Sequence, residues 1–215
     1  MSQARDRFRE DFTTFRGPVR IFDWCRPEFA ASRQMDDGLG LFPSYNSLFP
    51  SPESLARAAQ ADSADLVLGL DRTEKIVGYC LLREPLASDF FGRLSPGLLI
   101  EIAGLEVSRN YRRSHLGRRL LQIGLANETL EERIVFFVGY SWTWDLLGSG
   151  LSAGEYRRMI IGLATAYGFE VCPTNEPNVC LRPENLLMAR IGSKVAVREA
   201  RRFKNLLIGL DDKEE

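Results

Sequence analysis

The residues best suited to chemistry lie between Ile100 and Leu121. An apolar run ends at Val107, the turn Ser108-Arg-Asn-Tyr-Arg-Arg-Ser-His-Leu-Gly117 follows, and an apolar-periodic segment begins at Arg118. A helix start leaves backbone N–H groups without intrahelical partners, and aligned peptide dipoles favour an anion there. Arg112, Arg113, Arg118 and Arg119 add charge and fork-shaped donors. The chemistry predicted is the grip of a diphosphate by backbone donors; the plain alternative is an exposed basic turn joining strand to helix. Upstream, Glu101 stands between Ile100 and Ile102. Desolvation there would raise its pKa toward the range of a general base. An amine nucleophile needs one, because an alkylammonium with a pKa of about 10.4 is almost wholly protonated at neutral pH. Facing solvent or pairing with an arginine is the other reading of Glu101, and Glu106 is the competing carboxylate.

The elements that must position these groups follow a mixed α+β order. In residues 1–16, Phe8, Phe12 and Phe15 recur at helical spacing and predict a short helix or arm docking three rings. A strand over 19–24 and a short helix over 27–35 come next, then a loop at 36–50 rich in Gly, Pro, Ser and aromatics. Its Phe42, Tyr45 and Phe49 are packing plugs or part of a binding wall. Ser51-Pro52-Glu53 opens a helix with a hydroxyl cap, an early proline and an acid at the positive end. Apolar strands are expected over 64–70 and 76–82, across a polar connection, and again over 98–107. Gly104, inside the last, marks a bulge, a close approach of backbone or ligand, or simply an eased twist. A helix over 118–132 and an almost wholly apolar strand over 134–140 follow. Ser152-Ala-Gly-Glu155 is a capping box whose helix carries Tyr156, Met159, Ile160, Leu163 and Tyr167 on one stripe and stops at Gly168. Strands over 169–172 and 185–191 close the order, and 194–210 reads as an amphipathic helix packed on the domain or on a second subunit.

With that order in hand, Arg112-Arg-Ser-His-Leu-Gly117 resembles motif A of the GNAT superfamily of N-acyltransferases, Gln/Arg-x-x-Gly-x-Gly/Ala, with His115 where the family usually has glycine. The element order is similar to the family's from residue 19 to 191. The resemblance implies an α+β fold of GNAT type: a mixed, mostly antiparallel twisted sheet flanked by helices, with a parallel, splayed strand pair at the acyl-CoA site. It divides the chain into an arm or helix over 1–16, the acyltransferase domain over 17–193, and a C-terminal amphipathic helix with an acidic tail over 194–215. It implies that Leu105 and Val107 offer backbone groups to pantetheine. Arg112, Arg113, Ser114, His115, Leu116, Gly117 and Arg118 then hold the pyrophosphate, chiefly through peptide N–H groups. Glu101 occupies the position where one branch of the family keeps its base. At the position of the family's tyrosine acid stands Ala164, so no acid is named; Tyr140 matches no motif, and Tyr167 belongs to the apolar stripe. The 141–151 segment is longer than the family's usual link, and with residues 36–50 it would line the acceptor side.

Composition excludes other classes. The 215 residues carry 28 Lys and Arg against 29 Asp and Glu, a net charge of −1 that speaks against a dedicated nucleic-acid binder. No segment has the apolar length of a membrane span, and no start resembles a signal peptide. Cys25, Cys80, Cys172 and Cys180 lack metal-ligand spacing, and a single histidine makes a zinc site implausible. Reduced, mostly buried thiols fit the cytoplasm. The expected activity is transfer of an acyl group from acetyl-CoA or a longer acyl-CoA to a primary amine by direct attack, without a metal. The alternatives are an acyl-carrier-protein donor and a GNAT-like protein that binds acyl-CoA without turnover.

Overall fold

The computed structural model describes residues 5–61, 63–86, 90–93 and 97–210. In chain order it runs β1 (Arg7–Thr14), β2 (Gly17–Asp23), α1 (Pro27–Ala31), β3 (Leu41–Phe42), β4 (Tyr45–Asn46) and α2 (Pro52–Ala58). Then come β5 (Asp65–Leu70), β6 (Ile76–Arg83), β7 (Leu99–Val107), α3 (Leu116–Gly124) and β8 (Ile134–Gly139). The last are α4 (Leu146–Ser149), α5 (Ala153–Thr165), β9 (Glu170–Val171), α6 (Pro177–Cys180), β10 (Leu186–Ile191) and α7 (Val197–Leu207). The fold is mixed α+β: its strands are mostly antiparallel, and β7 and β8 form a parallel pair. The acidic tail 211–215 and residues 1–4 of the predicted arm lie outside the described residues.

Two compact units make up the chain. The first comprises Met1–Arg83, Ile102–Asn127 and Leu147–Ser149. Its strands run in the order β1-β2-β5-β6-β7. Both faces are covered, so every residue of β5 is buried and its sequence reads as a continuous apolar run after Asp65. Leu66, Leu68, Leu70, Ile76, Tyr79 and Leu81 pack with Leu55 and Ala30 of the two short helices. On the opposite face, α3 lies close enough that a Cβ at Gly124 would stand 2.7 Å from Leu82 Cδ1. Ser51 and Ser54 cap α2 reciprocally, as the hydroxyl-proline-acid start predicts.

Residues 7–14 form a strand, not the predicted helix: β1 pairs antiparallel with β2 from Arg7↔Asp23 to Thr14↔Gly17, with a bulge between Phe8 and Glu10. The spacing of Phe8 and Phe12 serves an alternating strand as well as a helix, so spacing alone did not discriminate. Phe8 meets the edge of Phe22 at 5.6 Å, whereas Phe15 is 69% exposed and docks on nothing in the core. At the other end of the hairpin, buried Asp23 takes Arg7 in a fork at 2.8 and 2.6 Å, and buried Asp65 accepts the Trp24 N–H at 3.0 Å.

The second unit comprises Glu84–Glu101, Glu128–Leu146 and Gly150–Glu215, with strand order β7-β8-β10-β9. Parallel pairing of β7 with β8 covers Leu99↔Ile134, Ile100↔Val135 and Glu101↔Phe136. Phe136, Leu187, Ala189, Phe91 and Val179 form its core, closed by Phe203 and Leu207 of α7. The C-terminal amphipathic helix therefore buries its stripe in its own chain. The capping box forms at α5, where Ser152 and Glu155 satisfy one another's backbone N–H groups, and Gly168 ends the segment at φ +81°.

Candidate active site

The turn after β7 is built by local chemistry. Ser108 caps a single 3₁₀ turn by accepting the Asn110 N–H at 3.1 Å, and the Ser114 hydroxyl donates to the Tyr111 carbonyl at 2.5 Å. Arg113 and His115 both adopt left-handed backbone, each at φ 63°. His115 leads directly into α3, which begins two residues before the predicted start and ends at Gly124 instead of running to 132. Residues 128–132 form a separate 3₁₀ segment. The backbone N–H groups of Arg113, Ser114, His115, Leu116 and Gly117 have no partner among the described residues. Five donors thus lie on consecutive peptides at the positive end of a helix. Gly117 allows the helix to close on the strand, since a Cβ there would stand 3.3 Å from Val107 Cγ2.

His115, at the position where the motif that this turn resembles usually has glycine, thus holds a glycine-type conformation. A left-handed L-residue is strained by about 1–2 kcal/mol. His115 is exposed and makes no side-chain cap bond, so no cap bond among the described residues offsets that strain. Exchanging His115 for glycine should raise stability by about 1 kcal/mol after the entropy of a glycine is deducted. Denaturant unfolding measures this, and a loss of stability would show that the imidazole does structural work in the turn.

The arginines divide. Arg119 makes a two-pronged pair with Glu10 of β1 at 2.5 Å on each prong, which holds the Glu10 carboxyl below the usual range. It staples α3 to β1 and leaves the turn. Arg113 and Arg118 are exposed and Arg112 is half-buried.

Gly104 is needed by a close approach from within the chain. A Cβ there would stand 2.9 Å from Phe49 Cε2 and 3.2 Å from Tyr79 Cε2, whose rings lie 5.8 Å apart. Phe49 is accordingly a packing plug. Glu106 is committed as well: the hydroxyls of Tyr45 and Tyr79 donate to its carboxylate, and the Leu48 N–H donates at 3.1 Å. Burial pushes the Tyr79 phenol up, which keeps it a donor at neutral pH. Glu101, the other carboxylate, is half-buried at the last paired position of β7 with β8, opposite Phe136.

Sequence reasoning missed the residue that anchors the loop. Burial opposes charge on Asp36, yet the Ser108 hydroxyl, the Gly38 N–H at 3.0 Å and the Asn110 amide at 2.8 Å hold its carboxyl below the ordinary value. Gly38 fits only as glycine, because a Cβ would lie 2.7 Å from the Arg109 nitrogen. The Asp36-Asp-Gly38 turn signal was legible; its partner on the turn after β7 was not. In the second unit, Tyr140 stacks on Trp142 at 4.8 Å, Trp144 stacks on Tyr156 at 5.2 Å, and Ala164 is buried. Among the described residues, no group of three or more His, Cys, Asp or Glu is placed to hold a metal, and no helix is long and apolar enough to cross a membrane.

The acetoin utilization protein AcuA of Bacillus licheniformis is 29% identical over 207 residues, 96% of each chain. Its counterpart from Bacillus subtilis is 34% identical over 157 residues, 72% of this chain and 73% of that one. The crystal structure of an acetoin utilization protein from Exiguobacterium sibiricum superposes with a TM-score of 0.85 at 26% identity, covering 97% of both chains. Residues 20–140 match the model of the acetyltransferase (GNAT) family, and the chain belongs to that family.

Proposed function

We propose that the chain is an acyl-CoA-dependent N-acyltransferase that passes an acetyl or longer acyl group to a primary amine by direct attack on the thioester. The observation that carries this reading is the set of five unpartnered N–H groups over 113–117, at the start of a helix whose peptide dipoles favour an anion. In it, Arg112, Arg113, Ser114, His115, Leu116, Gly117 and Arg118 hold the donor's pyrophosphate, with Leu105 and Val107 offering backbone groups to its pantetheine arm. Glu101 takes the proton of the attacking amine, and the tetrahedral oxyanion is met by backbone donors. No metal takes part. The relatives are named for acetoin utilization, and we place this chain in the same setting, in the cytoplasm.

Calorimetry with acetyl-CoA, a longer acyl-CoA and free CoA tests the donor half. Failure of all three to bind at millimolar concentration would remove the reading, whereas binding of an acyl-carrier protein alone would change the donor. A second reading, acyl-CoA binding without turnover, is favoured by the buried Ala164 at the tyrosine position. Thiol release across N-α-acetyl-lysine amide, spermidine and free amino acids separates enzyme from binder.

A further inference from the structure

Two segments distant in sequence from each other and from β7 meet on the Glu106 carboxylate. Tyr45 comes from the β3–β4 hairpin, Leu48 from the segment just after it, and Tyr79 from β6, while Glu106 itself lies near the end of β7. The acceptor capacity is well used: one oxygen takes the Tyr45 hydroxyl, and the other takes the Tyr79 hydroxyl and the Leu48 N–H. The Tyr79 oxygen in turn accepts the Phe49 N–H at 3.4 Å, and the Phe49 ring covers Gly104, two positions along the same strand. Charge-assisted hydrogen bonds of this kind are among the stronger ones a half-buried carboxylate can make.

Within itself the hairpin is closed by buried Ser47, which exchanges bonds with Gly40 at 2.9 Å, and by the Phe42–Tyr45 stack at 6.2 Å. β3 and β4 are two residues each, and a two-stranded ribbon that short is not stable in water without help. Leu41 is 71% exposed and Leu48 is 42% exposed, so its outer rim contributes little burial. Its base is tied by Asp36 to Ser108 and Asn110, and Arg109 lies over the Phe42 ring at 3.8 Å. The tip is fastened through Glu106.

The direction of the fastening matters. Successive side chains on a strand point to opposite faces. Val107 faces α3, where it limits the space at Gly117, so Glu106 and Gly104 face the other way, toward the hairpin. The hairpin therefore covers the face of β7 opposite the helix whose first turn would grip the donor.

We infer that Glu106 is a positioning residue: it fastens the 39–49 segment to β7, and that segment is the wall that selects the acceptor amine. The acceptor half rests on the acyltransferase reading above; the fastening does not. Glu106→Gln puts an amide NH2 where one carboxylate oxygen stood. With that amide turned toward Tyr45, whose hydroxyl can accept from it, the remaining oxygen still takes the Tyr79 hydroxyl and the Leu48 N–H, so the variant removes the charge that strengthens these bonds and not the bonds themselves. Tyr45→Phe removes one hydroxyl at a half-buried position and leaves Tyr79 in place.

Both full-length variants are compared with wild type by amide hydrogen exchange, acetyl-CoA calorimetry, and thiol release with whichever amine of the panel wild type turns over fastest. In Glu106→Gln, the amides of 39–49 should exchange at least about tenfold faster while those of α3 and β5 are unchanged. Acetyl-CoA affinity should hold within about twofold, and the amine KM should rise at least about tenfold with kcat changed less than about threefold. Tyr45→Phe should move the same quantities in the same direction by less. Unchanged exchange over 39–49 in both variants overturns the fastening. A fall in kcat at constant amine KM overturns the positioning role, and loss of protection across α3 and β5 in both variants reduces Glu106 to general stability. Wild type that binds no acetyl-CoA and releases no thiol counts against the acyltransferase reading and removes the acceptor half with it, while exchange over 39–49 still decides the fastening.

Discussion

Replacing Glu101 with glutamine should lower kcat by roughly 10²- to 10⁴-fold, the usual contribution of a positioned general base, and leave acetyl-CoA affinity within about twofold. In the proposed reaction the attacking amine arrives almost wholly as ammonium at neutral pH, and its nitrogen must lose a proton before or as the carbon–nitrogen bond forms. Of the two carboxylates on β7, Glu106 already accepts from two phenols and a backbone N–H, so both of its oxygens are engaged within the fold. Glu101 is left as the candidate base. Glutamine keeps its volume and removes its basicity, so a loss confined to kcat identifies the proton acceptor. Equal turnover in the two proteins would eliminate Glu101 from the chemistry. Raising the pH should partly rescue the variant, because bulk base then does what the side chain no longer can.

Asp65→Asn should stabilise the protein above neutral pH by an amount that vanishes in acid. Burial pushes the Asp65 carboxyl from an ordinary 3.8 up to about 7; the Trp24 N–H opposes the rise and the nearby Asp23 charge adds to it. Below the ordinary value both folded and unfolded chains hold the proton, and the variant gains nothing. Between there and about pH 7 the folded chain keeps a proton that the unfolded chain has released, so wild type loses stability as pH climbs. Above that window the penalty is constant, at most about 4 kcal/mol for a group this deeply buried. Asparagine still accepts the Trp24 N–H through its oxygen and carries no charge to desolvate. Denaturant unfolding of both proteins at pH 4 and pH 8 reads the difference directly. A gap that does not change with pH would mean that Asp65 carries the same charge folded and unfolded.

What the sequence determined by itself was what short-range chemistry determines. The Ser152–Glu155 box, the Ser51-Pro52 start and the stop at Gly168 are contacts within a turn of helix, and all formed as read. The strands β5, β6 and β8 followed from apolar runs, and β7 from a mostly apolar one interrupted by Glu101 and Glu106. The turn before α3 was legible for the same reason: it is made of consecutive peptides ahead of an apolar-periodic segment. Where two structures share a spacing, reading failed, as with the rings at Phe8 and Phe12 that lie on a strand.

Only the tertiary structure decided which polar groups meet. Arg119 finds Glu10 across 109 residues, Asp36 finds Asn110 across 74, and Glu106 finds Tyr45 across 61. No periodicity reports such pairs, because they are selected by the register of strands brought together through hydrophobic burial, which is itself non-directional. Gly104 makes the same point. Its lack of a side chain was visible in the sequence, but whether a ligand, a twist or a neighbouring ring required it depended on where the fold delivers Phe49.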